Sequence, residues 1–271
     1  MTRPSPRTVR RLIGLALLVA WEAVPRLGLL PELFLPPLTK TLAVLWLDRY
    51  IYAAALMVTL YEVAIAMLIA CGAGILLGAV VGGVASIRKL MLPVFSSLYA
   101  IPIVILYPIF TAWFGIGSGS KIAFAGVYGF FPVMLSTAAG IRTIDEQYLL
   151  AARSMGATLP QLIARVIIPA SIPTVLTGLR LGGALTIIGV VVSEMLTSAS
   201  GIGYLVTMNR TILDSPRVFA AIIVVLALSV VFDIAVRALE RYTMVWQSAG
   251  RRVASSATDT SARLTTSASA V

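Results

Sequence analysis

Six stretches of this chain carry apolar side chains almost without interruption: 12–30, 54–84, 94–114, 122–141, 175–196 and 218–239. A helix rises about 1.5 Å per residue, so about 20 residues cross a hydrocarbon layer about 30 Å thick. Lipid offers no hydrogen-bond partners, and a segment crossing it must satisfy its own backbone, as a helix does. The runs therefore predict an all-α membrane protein, a bundle of six transmembrane helices. Composition agrees, since 12% of the 271 residues are charged and 59% are hydrophobic. Soluble domains carry about twice that charged fraction.

The net charge of +10 would suit a nucleic-acid partner if it lay on one polar face. It lies instead at the ends of the apolar runs, where basic residues report orientation. With six crossings both termini share one side. That side receives 15 basic residues, among them Arg3, Arg88, Arg142, Arg165 and Arg237, against six on the other: Arg26, Lys40, Arg49, Lys121, Arg210 and Arg217. The expectation is a bacterial inner-membrane protein with cytoplasmic termini and no nucleic-acid partner. The chain has no His, and its one cysteine, Cys71, sits in an apolar run. An internal disulfide is impossible, zinc sites of the usual type are excluded, and Cys71 reads as a small packing residue.

Residues 1–11 form a short cytoplasmic N-terminus, residues 12–246 the membrane domain and residues 247–271 a Ser/Thr/Ala-rich tail expected to be disordered. Arg10-Arg11 ahead of the first run resembles a secretion signal, but no small-x-small cleavage site follows, so the run is expected to be a retained span. Pro31, Pro36 and Pro37 lead into Leu38, Leu42, Leu45 and Trp46 at helical spacing, the pattern of an interfacial helix. Gly74, Gly78 and Gly82 fall on one face of the second span, which either permits close helix approach or reflects the glycine content of membrane helices. Pro93 is placed to open the third span, and Pro102 and Pro108 to kink or break it.

The segment 142–173, between the fourth and fifth spans, is patterned for two short helices. Thr143-Ile-Asp-Glu146 has the form of a capping box, and Gly156 sits where a left-handed residue would end the first helix. Thr158-Leu-Pro-Gln161 is a second box with Pro160 in the tolerated first turn, and Pro169 and Pro173 are placed to stop the second helix. Local physics fits both a knob that a cytoplasmic partner grips and an amphipathic connector lying on the membrane.

Here the chain resembles a known family. Leu150-Ala-Ala-Arg-Ser-Met-Gly156, followed by Val166, Ile168 and Pro169, is similar to the EAA loop of binding-protein-dependent ABC importer permeases. Ala151, Ala152, Gly156 and Pro169 match that pattern, Val166 and Ile168 are apolar substitutes, and Leu150 replaces the family Glu. Trp113-Phe-Gly-Ile-Gly117, Thr177-Gly-Leu-Arg180, Val191-Val-Ser-Glu194 and Ser200-Gly-Ile-Gly203 resemble the nitrate, sulfonate, taurine and bicarbonate branch, whose relatives include carriers of vitamin precursors. The resemblance implies a MetI-like type I importer permease fold, a second permease copy forming a homodimer, two ATP-binding subunits docked on the cytoplasmic loop, and an extracytoplasmic solute-binding protein. It implies that Ala151, Ala152, Arg153 and Gly156 meet the ATPase, within a coupling loop that also holds Leu150, Val166, Ile168 and Pro169. It also implies a substrate that is a small sulfonate, nitrate, taurine-like anion or vitamin precursor.

The chain holds no Gly-x4-Gly-Lys-Ser/Thr loop, so ATP and magnesium are expected on a partner, with no cofactor and no catalysis here. Ionised groups in spans are expensive and often functional. Glu62 and Glu194 fall toward the outer ends of their helices and are open to interfacial, structural or substrate-contacting roles; with Tyr99 and Tyr107, which flank Pro102, they are the pathway candidates. Glu22 lies near the end of the first run, Asp233 is spaced to pair with Arg237, and Arg180 reads as an interfacial anchor. The rival reading is an ion-gradient-driven carrier using Glu62 or Glu194 for protons.

Overall fold

A computed structural model describes the backbone of residues 5–268 and the side chains of residues 5–243, Arg7 apart. The tail expected to be disordered from residue 247 lies outside the described side chains.

The first run forms α1, Pro6–Arg26, begun by Ser5, whose hydroxyl accepts from the Thr8 N–H at 3.3 Å. The helix stops at Arg26 rather than continuing to residue 30, because Gly28 takes a left-handed φ of +70° and turns the chain. Glu22 then reaches the interfacial helix α2, Leu38–Leu47, where it accepts from the Thr39 N–H at 3.0 Å and its hydroxyl at 2.8 Å. That N–H belongs to the first turn and has no partner within the helix, so the carboxylate caps it. Arg49 stacks over Trp46 and Tyr50, with its guanidinium carbon 5.2 and 4.5 Å from the ring centroids.

Helix α3, Arg49–Gly83, has 35 residues, about 52 Å of helix and more than one bilayer crossing requires. Extended Val84 ends it, and Arg88 folds back to donate to the Gly82 carbonyl at 2.9 Å. Helix α4, Ala85–Tyr99, therefore starts well before Pro93, which lies inside it rather than at its opening. The chain breaks at Ile101-Pro102, makes a 3₁₀ turn over Ile103–Leu106 and resumes as α5, Tyr107–Phe114, bent by 81° from α4. Proline disfavours the helical conformation in the residue before it, and the break falls there.

Helix α6, Ser118–Arg142, leads to α7, Glu146–Ser154, and α8, Leu159–Leu162; α9 is Ile168–Thr197, α10 Ile202–Thr211 and α11 Ser215–Ala268. Pro169 and Pro173 do not stop the second short helix. Residues Leu159–Thr197 form one uninterrupted helical stretch of 39 residues. Ile163–Ile167 make a π turn in which the Ile168 N–H reaches the Ile163 carbonyl, five residues back. The widened turn gives the ring of Pro169 the room that an α turn denies it.

Four helices have the length and apolarity to cross a membrane: α3, α6, the α8–α9 stretch, and α11 as far as Thr243; the bent α4–α5 pair makes a fifth. Helix α1, the remaining expected span, has 21 residues, about 31 Å, but its apolar core between Arg11 and Glu22 is short and relies on charged ends that snorkel. Val230, Val231 and Ile234 on α11 stand more than half exposed, an arrangement suited to lipid rather than water.

The centre of the bundle is α3, α6 and α9. A Cβ on Gly78 would lie 2.6 Å from the Met134 carbonyl oxygen, and one on Gly82 2.8 Å from that of Ala138, so the expected glycine stripe brings α3 and α6 together. Gly182 of α9 meets Gly129 of α6 in the same way. Helix α10, which has no counterpart among the expected spans, buries Ile202, Leu205, Val206 and Asn209 against α3, α9 and α11. Its i, i+3, i+4, i+7 spacing was legible in the sequence.

Candidate functional site

The segment 142–173 folds as two helices around a glycine turn, with one change at its start. Thr143 does not cap α7; it ends α6, its hydroxyl donating to the Gly140 carbonyl at 3.1 Å. Asp145 has the extended backbone that an N-cap needs, and its carboxylate accepts from the Gln147 N–H at 2.9 Å. Gly156 is left-handed, with φ +76°. Its N–H donates to the Arg153 carbonyl at 2.9 Å and the Ala157 N–H to that of Ala152 at 3.0 Å, the two bonds of a Schellman motif. Thr158 and Gln161 make the second box, the Thr158 N–H donating to Gln161 Oε1 at 2.9 Å.

Ala152 and Leu162 are buried and hold the turn together. Leu150, Ala151, Arg153 and Gly156 face outward, and Ile168 and Pro169 are exposed where the π turn joins α9, with Val166 partly buried. Tyr148, Leu150, Met155 and Leu159 carry the largest exposed apolar surfaces of the segment, Met155 reaching 81%. Lipid accounts for such exposure on the spans; on a turn beyond the bundle an exposed apolar surface is the kind that other proteins meet. Helix α8, the π turn and α9 are continuous, so the second half of the segment is part of a span.

A buried polar cluster lies at the opposite end of α6 and α9. Lys121 Nζ is 2.5 Å from Glu62 Oε1, and both side chains are essentially inaccessible. Ser118 also donates to Glu62 Oε1, at 2.7 Å, and Lys121 donates to Ser198 at 3.1 Å. Glu194, 1% exposed, accepts from the Thr59 hydroxyl at 2.7 Å and the Gly203 N–H at 2.8 Å. Glu62 and Glu194 are thus inside the fold. Tyr107 is buried against Phe124 and hydrogen-bonds Thr197 at 2.8 Å, and Tyr99 stacks on Phe131 at 5.9 Å. Lys121, Thr59, Ser118 and Ser198 are the side chains of the cluster that no sequence pattern marked as site candidates. Lys121 belongs to the first turn of α6. Toward the other end of α9, Arg180 pairs with Asp233 at 2.6 Å, and Asp233 also holds Arg237 at 2.6 Å, so Arg180 ties α9 to α11 rather than anchoring at an interface.

The family model described as binding-protein-dependent transport system inner membrane component matches residues 70–244. The formylaminopyrimidine transport permease protein ThiX of Halalkalibacterium halodurans is 31% identical over 236 residues, which cover 87% of this chain and 94% of the relative. The taurine transport system permease protein TauC of Escherichia coli is 31% identical over 252 residues, 90% and 92% of the two chains. The putative aliphatic sulfonates transport permease protein SsuC of Bacillus subtilis is 30% identical over 241 residues, 88% and 87%. Among solved structures, the MetNI methionine ABC transporter in an inward-facing conformation shares the fold with a TM-score of 0.58 at 17% identity, over 68% of this chain and 94% of that one. With a family model spanning most of the membrane domain and relatives matched along nearly their whole length, the chain belongs to the binding-protein-dependent transport system inner membrane components: it is the non-catalytic permease subunit of an ABC importer, served by a separate ATPase and a binding protein.

Proposed function

We propose that this permease works as a homodimer in the inner membrane with both termini in the cytoplasm, and that residues 142–173 take the stroke of two ATPase subunits, which hold the ATP and magnesium. The reading rests on one observation: an exposed apolar knob, Tyr148 to Leu159, whose last residue begins the unbroken helix that continues as the span α9. A rigid connection passes displacement on, whereas a loop would absorb it. Substrate would pass between the protomers. Its class is a small sulfonate, taurine-like anion, nitrate or vitamin precursor, supported by relatives whose names record taurine, aliphatic sulfonates and formylaminopyrimidine. An ion-gradient carrier is set aside by the family, and Glu62 and Glu194 are both held in hydrogen bonds within the fold.

The test is Gly156→Val. Nothing lies within 4 Å of a Cβ at Gly156, so the substitution strains the turn without a clash. Forcing a β-branched residue into the left-handed region costs on the order of 1–2 kcal/mol. The variant should insert and fold, yet co-purify with markedly less ATPase and lose ATP-dependent uptake. Normal ATPase recovery with full uptake would remove this segment from the coupling role.

A further inference from the structure

Glu194 sits near one end of the 39-residue helical stretch whose other end carries the knob. Its carboxylate does not serve its own helix. It accepts from the Gly203 N–H of α10 at 2.8 Å, and Thr59, which donates to it, accepts in turn from the Ile202 N–H at 3.0 Å. These are the first two N–H groups of α10, which no helix satisfies internally, and the N-cap Gly201 has no side chain to offer them. A negative group at that helix end is favoured, and burial strengthens the bond. The fit is close: a Cβ on Gly201 would overlap Glu194 Oε1, and one on Gly203 would overlap the Val191 carbonyl and press on Glu194. A second link runs the same way, the Thr207 hydroxyl of α10 donating to the Met195 carbonyl of α9 at 3.1 Å.

The link to α3 is of another kind. The Thr59 hydroxyl has one proton and two acceptors within reach, Glu194 Oε1 at 2.7 Å and the Ala55 carbonyl of its own helix at 3.2 Å. Its proton can therefore leave Glu194 and keep an acceptor, and the hydrogen bond from α10 that α3 would give up is the one from the Ile202 N–H. From this asymmetry we propose that Glu194 is a positioning residue that makes α10 travel with α9, so that displacement of the coupling segment reaches the far side of the bundle as movement of α10 against α3. The inference rests on the coupling role proposed for residues 142–173. An open groove of about 630 Å³ lies between the end of α9 and α10, lined by Met195, Thr197, Tyr204 and Met208 among others, so the moving pair carries the groove's walls with it.

The experiment uses the full transporter with its ATPase and binding protein, reconstituted in liposomes, with Cys71→Ala as background. A disulfide between Met195→Cys and Thr207→Cys fixes α10 to α9; one between Thr59→Cys and Ile202→Cys fixes α10 to α3. The first should leave ATP-driven uptake within about twofold of its reduced state, and the second should cut it by about tenfold or more, reversibly on reduction. Glu194→Gln should retain ATPase binding and hydrolysis but move fewer substrate molecules per ATP. Loss of uptake in the first cross-link with the ATPase still bound would overturn the inference and leave the coupling role standing. Full uptake in the second would do the same. Wild-type transport per ATP in Glu194→Gln would also overturn it, and failure of the unmodified chain to bind its ATPase would instead remove the coupling role beneath it.

Discussion

A carboxylate surrounded by protein and lipid needs a partner it does not lose, and Glu62 has Lys121 on one oxygen while its other, Oε2, lies buried with no hydrogen-bond partner among the described residues. Removing one member of a buried pair leaves the other charge uncompensated, at a cost of about 3–5 kcal/mol, whereas removing both is often close to neutral. Lys121→Met should therefore lower the detergent melting temperature sharply, and adding Glu62→Gln should restore most of the loss; a double variant no better than the single would show the pair is not the cause. Steric limits act at the same scale. Gly78→Ala places a carbon 2.6 Å from the Met134 carbonyl, while Gly83→Ala, five positions on, meets nothing within 4 Å. Overpacking of that sort costs about 1–3 kcal/mol, so the first should melt lower and the second should not, in the same assay. Thr143 shows where residue-scale reading of a motif stops. Its spacing to Glu146 is that of a capping box, but the preceding helix runs far enough to claim it, and Asp145, with extended backbone, takes the capping role.

At the scale of elements, the parts legible in the sequence are those set by local chemistry: the apolar runs, the left-handed Gly156, the box at Thr158, the pair Asp233–Arg237 and the glycine face of α3. The parts not legible depend on segments remote in sequence. Glu62 and Lys121, or Glu194 and Thr59, meet only because α3, α6 and α9 pack side by side. Proline misled for a related reason. Pro169 reads as a stop when a helix is assumed to be α throughout, and the π turn over Ile163–Ile167 removes that assumption. This turn also sets how the knob is aimed. Deleting Ala164 would allow a regular α turn there and rotate everything before it by about 100° relative to α9. The expected outcome is a folded, membrane-inserted permease that no longer retains its ATPase, read by co-purification. Retention of the ATPase would mean that the azimuth of Leu150 and Met155 is not what the partner recognises.

The whole molecule has a direction, and the argument for it separates into two steps. Helix α6 joins Ile116, in the loop before it, to Ser154 at the end of α7, and it is apolar and long enough to cross the membrane once. A single crossing puts the two positions on opposite sides whatever the path of α1. The orientation proposed above rests on charge: the end of α6 at Arg142 continues into Arg153 and Arg165, whereas its start carries Lys121, neutralised against Glu62. Free basic residues flanking spans stay in the cytoplasm. In a Cys71→Ala background, a membrane-impermeant maleimide should therefore label Ile116→Cys in intact cells and Ser154→Cys only in inverted vesicles. Labelling of both from one side would mean that α6 does not cross. Labelling of Ser154→Cys from outside would leave the crossing intact but reverse the orientation, placing the knob where no ATPase reaches it and withdrawing the coupling mechanism with it.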